Sequence, residues 1–210
     1  TKYMKKYAGV SEEGLSQWYY KNAETGELEK TTQYSDGDYF LCGDPTPDLY
    51  GGFSTALSFK GFDFSAQFTY SIGGQAYDYG YASLMQPPTA NSVGNKYHKD
   101  AYKAWTSDNP NTDIPRWQFN DLYTTSQSSR FLINASWLSL QNIQLGYTFP
   151  SKWIHKLAIN NLRMFFTCDN VYYWSKRKGF DCRINLSGSG DTSGEYSQVR
   201  SYSLGLNVQF

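Results

Sequence analysis

Along the last stretch of the chain, 198–210, every second side chain is apolar: Tyr202, Leu204, Leu206, Val208 and Phe210 share one face, and Ser201, Ser203, Gly205, Asn207 and Gln209 the other. Period-two alternation predicts a β-strand with one greasy and one wet face. Its 13 positions exceed the ~5–6 residues of an ordinary globular strand and suit a tilted membrane crossing of about 9–11 residues. The pattern recurs upstream, where Phe62, Phe64, Ala66, Phe68, Tyr70 and Ile72 alternate with Asp63, Ser65, Gln67, Thr69 and Ser71. Just before it, Phe53, Thr55, Leu57 and Phe59 alternate with Ser54, Ala56, Ser58 and Lys60, and only Lys60-Gly61 separates the two runs. That spacing predicts a tight hairpin. A further pair covers 137–149, with Ile143, Leu145, Tyr147 and Phe149 on one face, and 162–170, with Leu162, Met164 and Phe166 on one face. One helical turn is expected in the connection between them.

The connections alternate in length. Those after Phe59 and after Phe149 are short, whereas 73–136 and 171–196 are long and rich in Gly, Ser, Asn, Pro and Tyr. Long loops without structure are unusual in compact soluble domains, but short periplasmic turns opposite long extracellular loops are the rule in outer-membrane barrels. With Phe210 at the periplasmic side, both short turns fall in the periplasm and all long segments outside. Five strands cannot close a barrel, which takes about eight, so the chain is expected to be a fragment. The expected division is an extracellular region over 1–52 and barrel strands over 53–210. Within the first, 15–20 and 27–32 are expected to pair as a small hairpin turning at Thr25-Gly26.

Composition sharpens this picture. The 19 Lys+Arg and 19 Asp+Glu cancel, leaving no electrostatic reason for a nucleic-acid partner. The chain carries 19 Tyr, 13 Phe, 6 Trp and 18 Gly, a mix that favours strands and turns. No run approaches the roughly 18 apolar residues of a membrane-spanning helix, and Thr1-Lys2-Tyr3-Met4 does not open a signal peptide. The three cysteines, Cys42, Cys168 and Cys182, show neither CxxC nor zinc spacing and read as free thiols.

With strands and loops placed, the residues between them can be compared with known patterns. Gly43-Asp44-Pro45-Thr46-Pro47-Asp48-Leu49-Tyr50-Gly51-Gly52-Phe53 resembles a GDPxPDxxGGF stretch, and Phe59-Lys60-Gly61-Phe62-Asp63 follows at the expected distance. The stretch from Ser136-Trp137-Leu138 through Asn142-Ile143-Gln144-Leu145-Gly146-Tyr147-Thr148-Phe149-Pro150 is similar to SxLRLKNIxLGYTLP, and Asp169-Asn170-Val171 stands near a GQNL position. These are motifs of the SusC/RagA family of TonB-dependent transporters, which the chain resembles from about residue 43 to its end. It departs from them at Gly179-Phe180-Asp181-Cys182-Arg183, where GYDPE is common, and at Ser197-Gln198-Val199-Arg200, where a proline is usual. The resemblance implies an all-β fold, about five C-terminal strands of a large antiparallel transmembrane barrel of roughly 22 strands with a plugged lumen. It also implies an outer-membrane transporter of oligosaccharides or peptides. Its partners would be the plug and the N-terminal strands of the same transporter, TonB reached through that plug, a SusD-like surface lipoprotein and outer-membrane lipid.

Sites for chemistry are sparse. Asp36-Gly37-Asp38 and the pair Asp44 and Asp48 lack the spacing of a calcium loop and read as turn chemistry. His98 and His155 have no nucleophile or second histidine nearby in sequence, so no catalytic residue, metal ligand or cofactor is assigned and an enzyme is not expected. Asn134-Ala135-Ser136 and Asn185-Leu186-Ser187 match the glycosylation pattern without meaning in a bacterial outer membrane. The aromatics of the 73–136 segment remain, with Tyr77, Tyr79, Tyr81, Trp105 and Trp117 as candidate contacts to cargo or partner, since Tyr and Trp serve both sugar stacking and protein contacts. A short loop helix is expected over 96–105, and 187–194 reads as a flexible Gly/Ser tract. On this reading Phe64, Phe68, Leu145, Leu206 and Phe210 face lipid, while Ser65, Gln67, Asn207 and Gln209 face plug or water. The competing expectation is a soluble β-sandwich that binds carbohydrate on an aromatic platform.

Overall fold

The structure, a computed structural model, describes residues 2–91, 94–121, 123–155, 158–179, 181–183 and 197–210. In chain order its strands are β1 (Lys2–Lys5), β2 (Tyr7–Val10), β3 (Ser16–Lys21), β4 (Leu28–Thr31), β5 (Tyr39–Gly43), β6 (Leu49–Phe59), β7 (Phe62–Ile72), β8 (Gln75–Tyr77), β9 (Leu132–Asn134), β10 (Trp137–Thr148), β11 (Asn161–Ser175) and β12 (Ser201–Gln209). Helix α1 (Tyr79–Leu84) and the single turn α2 (Ser151–Ile154) complete the regular structure with two 3₁₀ turns, Lys99–Lys103 and Ser129–Phe131. The chain forms two compact units, one built up to Thr46 and over Gly74–Ile133, the other over Pro47–Gly73 and the described residues from Asn134 onward.

The second unit is a single antiparallel sheet in the order β12-β11-β10-β7-β6. These are the five strands expected from the alternation, in the expected neighbour order. The β6–β7 hairpin pairs Phe59 with Phe62 across a two-residue turn in which Lys60 has φ +48° and Gly61 φ +89°. Two positive φ angles in a row give the turn the right-handed twist that the flanking strands need. Gly61 suits its position; Lys60 adopts the conformation at a small cost. The other short connection contains α2, the expected helical turn, and the backbone N–H of Phe149 donates to Leu162 O at 2.9 Å.

Register carries each apolar residue onto a common face. Across the sheet, Leu57 pairs with Phe64, Phe64 with Leu145, Leu145 with Phe166, and Phe166 with Leu204. A bulge at Gln141 shifts the alternation of β10, so Leu138 and Leu140 before it stay on the same face as Ile143 and Leu145 after it. Leu57 is 64% exposed, Phe59 71%, Leu204 75% and Phe210 81%, so among the described residues nothing covers this face. A Leu or Phe left in water forgoes about 1.5–3 kcal/mol relative to burial. A hydrocarbon surround removes that cost. Aromatic pairs crowd both ends of the face: Phe62 with Tyr147 at 4.5 Å and Tyr147 with Phe149 at 5.0 Å near the short turns, Tyr172 with Trp174 at 4.5 Å near the opposite end. Such girdles flank the apolar band of transmembrane barrels. A soluble sandwich would need a second sheet over this face, and among the described residues of this unit there is none.

The opposite face is polar and internally bonded. Arg163 on β11 reaches Asp63 on β7 with two hydrogen bonds, Nε to Oδ1 at 3.1 Å and Nη2 to Oδ2 at 2.6 Å, passing over β10 at Gly146. A Cβ at Gly146 would sit 2.5 Å from both Asp63 oxygens, so only glycine leaves room for the bridge. Further along, Asn142 Nδ2 donates to Asp169 Oδ1 at 2.6 Å and Ser201 Oγ to Asp169 Oδ2 at 3.2 Å. Phe64, Phe68, Leu145 and Leu206 lie on the apolar face, with Phe210 81% exposed at the end of the same alternation, and Ser65, Gln67, Asn207 and Gln209 lie on the polar one.

The first unit turns the long 73–136 segment, expected as loop, into packed structure. β2-β3-β4 form one sheet, β1-β5 and β8-β9 two smaller ones. Met4, Tyr77, Ala82, Met85, Ala104, Ile114 and Phe131 form its core. The helix expected over 96–105 is shorter and tighter, a five-residue 3₁₀ turn over Lys99–Lys103 capped by His98 Nδ1, which accepts the Asp100 N–H at 3.2 Å. In consequence Tyr102 is 96% exposed while Ala104 is buried.

The face assignment predicts an asymmetry between neighbours on β12. Leu204→Arg should cost about 2–4 kcal/mol in the folded barrel and Ser203→Arg less than half of that, as measured by chemical denaturation of the complete protein in lipid. Equal costs would refute the assignment.

Candidate functional site

Side chains that could meet cargo or a partner lie in the first unit and at the polar edge of the second. In the first, Asp78 caps α1, its Oδ1 accepting the Tyr81 N–H at 2.8 Å, and this fixes the aromatic run that follows. Tyr77 is 2% exposed, its ring 4.4 Å from that of Tyr79 and 5.9 Å from that of Phe131. It belongs to the core, and its buried ring offers a ligand no surface. Burial also drives its hydroxyl far above the ordinary tyrosine range. Tyr81 packs edge-on against His98 at 4.8 Å, and its hydroxyl donates to Asp100 Oδ2 at 3.1 Å. Trp117 lies edge-on to Tyr97 at 5.5 Å. The Trp105 N–H donates to Ile114 O at 2.9 Å, and its indole lies over Gly14. Tyr79, Tyr81, Trp105 and Trp117 are thus half-buried packing residues, Tyr79 and Tyr81 joined through the rings of Tyr77 and Phe131 and Trp117 paired with Tyr97.

A second aromatic cluster of the first unit contains one more accessible ring, that of Tyr123. Trp18, on β3, is 1% exposed and edge-on to Tyr34 at 5.2 Å and to Tyr123 at 6.3 Å, while Tyr123 itself is 51% exposed. Lys5, also buried, donates through Nζ to the backbone carbonyls of Tyr34 and Ser35 and lies 4.3 Å from the Tyr34 ring, which pins this turn. Arg130 donates to Thr124 O at 2.7 Å and faces the Tyr7 ring at 5.5 Å; burial pushes the Tyr7 hydroxyl up to about 12. Neither ring is marked in the sequence: Trp18 sits in a strand of six residues, too short for a periodic signal, and Tyr123 in an irregular stretch, and only tertiary packing brings the two together.

On the polar face of the second unit, Asp181 and Arg183 form a buried pair, with Arg183 Nε 2.9 Å from Asp181 Oδ1 and Nη2 2.7 Å from Oδ2. Arg183 Nη1 also donates to Ser139 Oγ, a fully buried group on β10, at 2.8 Å, and the guanidinium lies 4.5 Å from the Tyr173 ring. The Cys182 N–H donates to Tyr173 Oη at 2.9 Å. The departure from GYDPE thereby becomes a clasp that holds the segment after β11 to the sheet. Phe180, in the same stretch, lies outside the described residues, as do Asn185-Leu186-Ser187 and the 187–194 tract.

The remaining candidates have structural roles. Asp44 Oδ1 accepts the Thr46 N–H at 2.8 Å, and Asp38 Oδ2 accepts the Lys21 N–H at 2.7 Å. Asn134 Oδ1 accepts the Ser136 N–H at 2.9 Å. Cys42, Cys168 and Cys182 form no disulfide. Tyr202, Leu204, Leu206 and Val208 stand opposite Cys168, Phe166, Met164 and Leu162 on the apolar face.

Two outcomes follow. Arg183→Ala would strand the Asp181 carboxylate, a loss of about 3–5 kcal/mol for a buried pair, and should speed maleimide labelling of Cys182 in a protein lacking the other two thiols. An unchanged labelling rate would show that the clasp does not hold the segment. Lys103, at 3.0 Å, holds the Asp100 carboxyl below the ordinary carboxylate range. The Tyr81–Asp100 tether should therefore persist down to about pH 4 and be lost as pH falls further, through the lowered value. Hydrogen exchange of the 98–104 amides would register it, and the acid loss should be absent in Asp100→Asn.

No protein-family model matches the chain. It is 29% identical over 193 residues to TonB-dependent receptor P3 of Formosa agariphila, covering 88% of this chain and 18% of that protein. It is 26% identical over 175 residues to TonB-dependent receptor SusC of Bacteroides thetaiotaomicron, covering 83% of this chain and 16% of that protein. Among solved structures, one of the RagAB peptide transporter superposes over 99% of this chain and 22% of the transporter chain, with a TM-score of 0.78 and 28% identity. The RagAB peptide importer in its open-open state gives a TM-score of 0.72 and 26% identity over the same 99% of this chain. The chain thus spans less than a fifth of the length of these curated relatives. Motifs, strand order and superposition agree: this is a SusC/RagA-like segment of outer-membrane β-barrel, corresponding to the carboxy-terminal part of a TonB-dependent receptor.

Proposed function

We propose that the chain is a component of a TonB-dependent outer-membrane transporter that imports oligosaccharides or peptides together with a SusD-like surface lipoprotein. The observation that carries this reading is the five-stranded sheet with one face apolar and uncovered and the other polar and bonded. Hydrocarbon on one side and a wet lumen on the other satisfy both faces at once. β6 and β12 are the edges of this sheet, and in lipid their unpaired backbone groups call for further strands of the same barrel. In this reading 53–210 carries the wall, and the region before it lies outside the cell. The chain itself performs no catalysis. Uptake energy arrives through a plug in the lumen that engages TonB, and cargo is received from the lipoprotein.

Fractionation of the native source tests the proposal. The polypeptide should leave outer membranes only with detergent, together with the rest of the transporter and a lipoprotein. A folded, monodisperse 24.0 kDa protein in detergent-free buffer would overturn it.

A further inference from the structure

In the first unit a cleft of about 380 Å³ opens between the β2-β3-β4 sheet and the 116–123 segment. Tyr123, 51% exposed, supplies its accessible aromatic wall, with the buried Trp18 ring packed edge-on against it; Thr32, Gln118 and Asn120 supply polar positions, and Arg116 a cation. We infer that this cleft binds a carboxylate-bearing ligand through the Arg116 guanidinium. The inference deepens the transport reading, on which it rests for access from outside the cell.

Arg116 is held in place and left incompletely bonded. Its backbone N–H donates to Gly14 O at 2.8 Å, which fixes the residue against the turn before β3. Among the described residues its guanidinium has one long hydrogen bond, from Nη1 to Glu13 O at 3.5 Å, and Nε is buried without a partner. The Trp18 Nε1–H, on a side chain 1% exposed, is likewise unpartnered. Arg116 stands in the wall of the cleft, and among the described residues its guanidinium meets no carboxylate and only the one long bond to Glu13 O, so most of its N–H donors are left for a ligand there. The chemistry of the missing partner follows from the guanidinium, a planar fork of donors whose best complement is a carboxylate binding through two oxygens.

The acid in the cleft does not fill that role. Asp121 Oδ1 accepts the N–H groups of Tyr123 at 2.8 Å and Thr124 at 3.3 Å, and Oδ2 accepts the Thr124 hydroxyl at 2.8 Å. Its charge is spent on its own loop, and among the described residues Arg116 has no ion-pair partner. The volume lies at the low end of the ~300–1,000 Å³ of small-ligand sites, which suits one terminal residue of a longer molecule. A peptide carboxylate and a uronic acid share this chemistry.

The complete transporter, purified in detergent, can be titrated calorimetrically with triglycine, triglycine amide and digalacturonate. At least one of the two carboxylates should bind, and Arg116→Gln should weaken it by about tenfold or more; the amide should bind no better to the native protein than to the variant. The carboxylate that binds identifies the source as peptide or acidic sugar. Arg116→Lys keeps the charge but not the fork, and an intermediate affinity is expected. Should Arg116→Gln fail to fold, Arg116→Lys and Tyr123→Ala, each expected to weaken carboxylate binding, decide the matter. Binding of neither carboxylate, or binding indifferent to these substitutions in folded protein, would overturn the inference while leaving the fractionation result, and with it the transport reading, standing.

Discussion

Backbone hydrogen bonding is the constraint on which the second unit depends. A strand exposed to hydrocarbon has no water to satisfy its N–H and C=O groups, so each must find a partner in the next strand. β12, β11, β10, β7 and β6 meet that demand in continuous antiparallel pairing, and only then can their side chains divide between two solvents. The two-residue turn at Lys60-Gly61 and the short connection through α2 keep neighbours in step at one end. At Gln141 the step is broken and repaired: a bulge absorbs the residue that would otherwise send Leu138 and Leu140 to the wrong side.

That arrangement was legible in the sequence because it obeys a period. Phe62 to Ile72 and Tyr202 to Phe210 alternate without exception, and no competing element fits a strand of that length. The polar face was legible only as polar. Nothing in the spacing of Asp63, Gly146 and Arg163 announces that they meet, since 100 residues separate the two charged partners and the glycine between them contributes only the absence of a side chain.

The first unit was far less readable. Its strands run from three to six residues, too short for a periodic signal, and are held by long-range contacts such as the Tyr7 N–H to Ser129 Oγ bond at 3.0 Å. Tyr77 and Tyr102 look alike in sequence, yet one is 2% and the other 96% exposed. Arg116 and Arg183 also look alike. One anchors a loop through a neighbouring carboxylate and the other lacks any carboxylate partner among the described residues, a difference that only tertiary structure sets.

The Asp63–Arg163 bridge joins strands that are not neighbours, spanning the width of β10 on one face only. Strands two places apart lie about 9.6 Å from each other in a flat sheet, and a tether across that gap favours whichever bend brings its ends together. A tether on the polar face alone favours curvature toward that face. A sheet so fastened carries a preferred direction of bending in its own side chains, set by a single ion pair and the bare backbone beneath it.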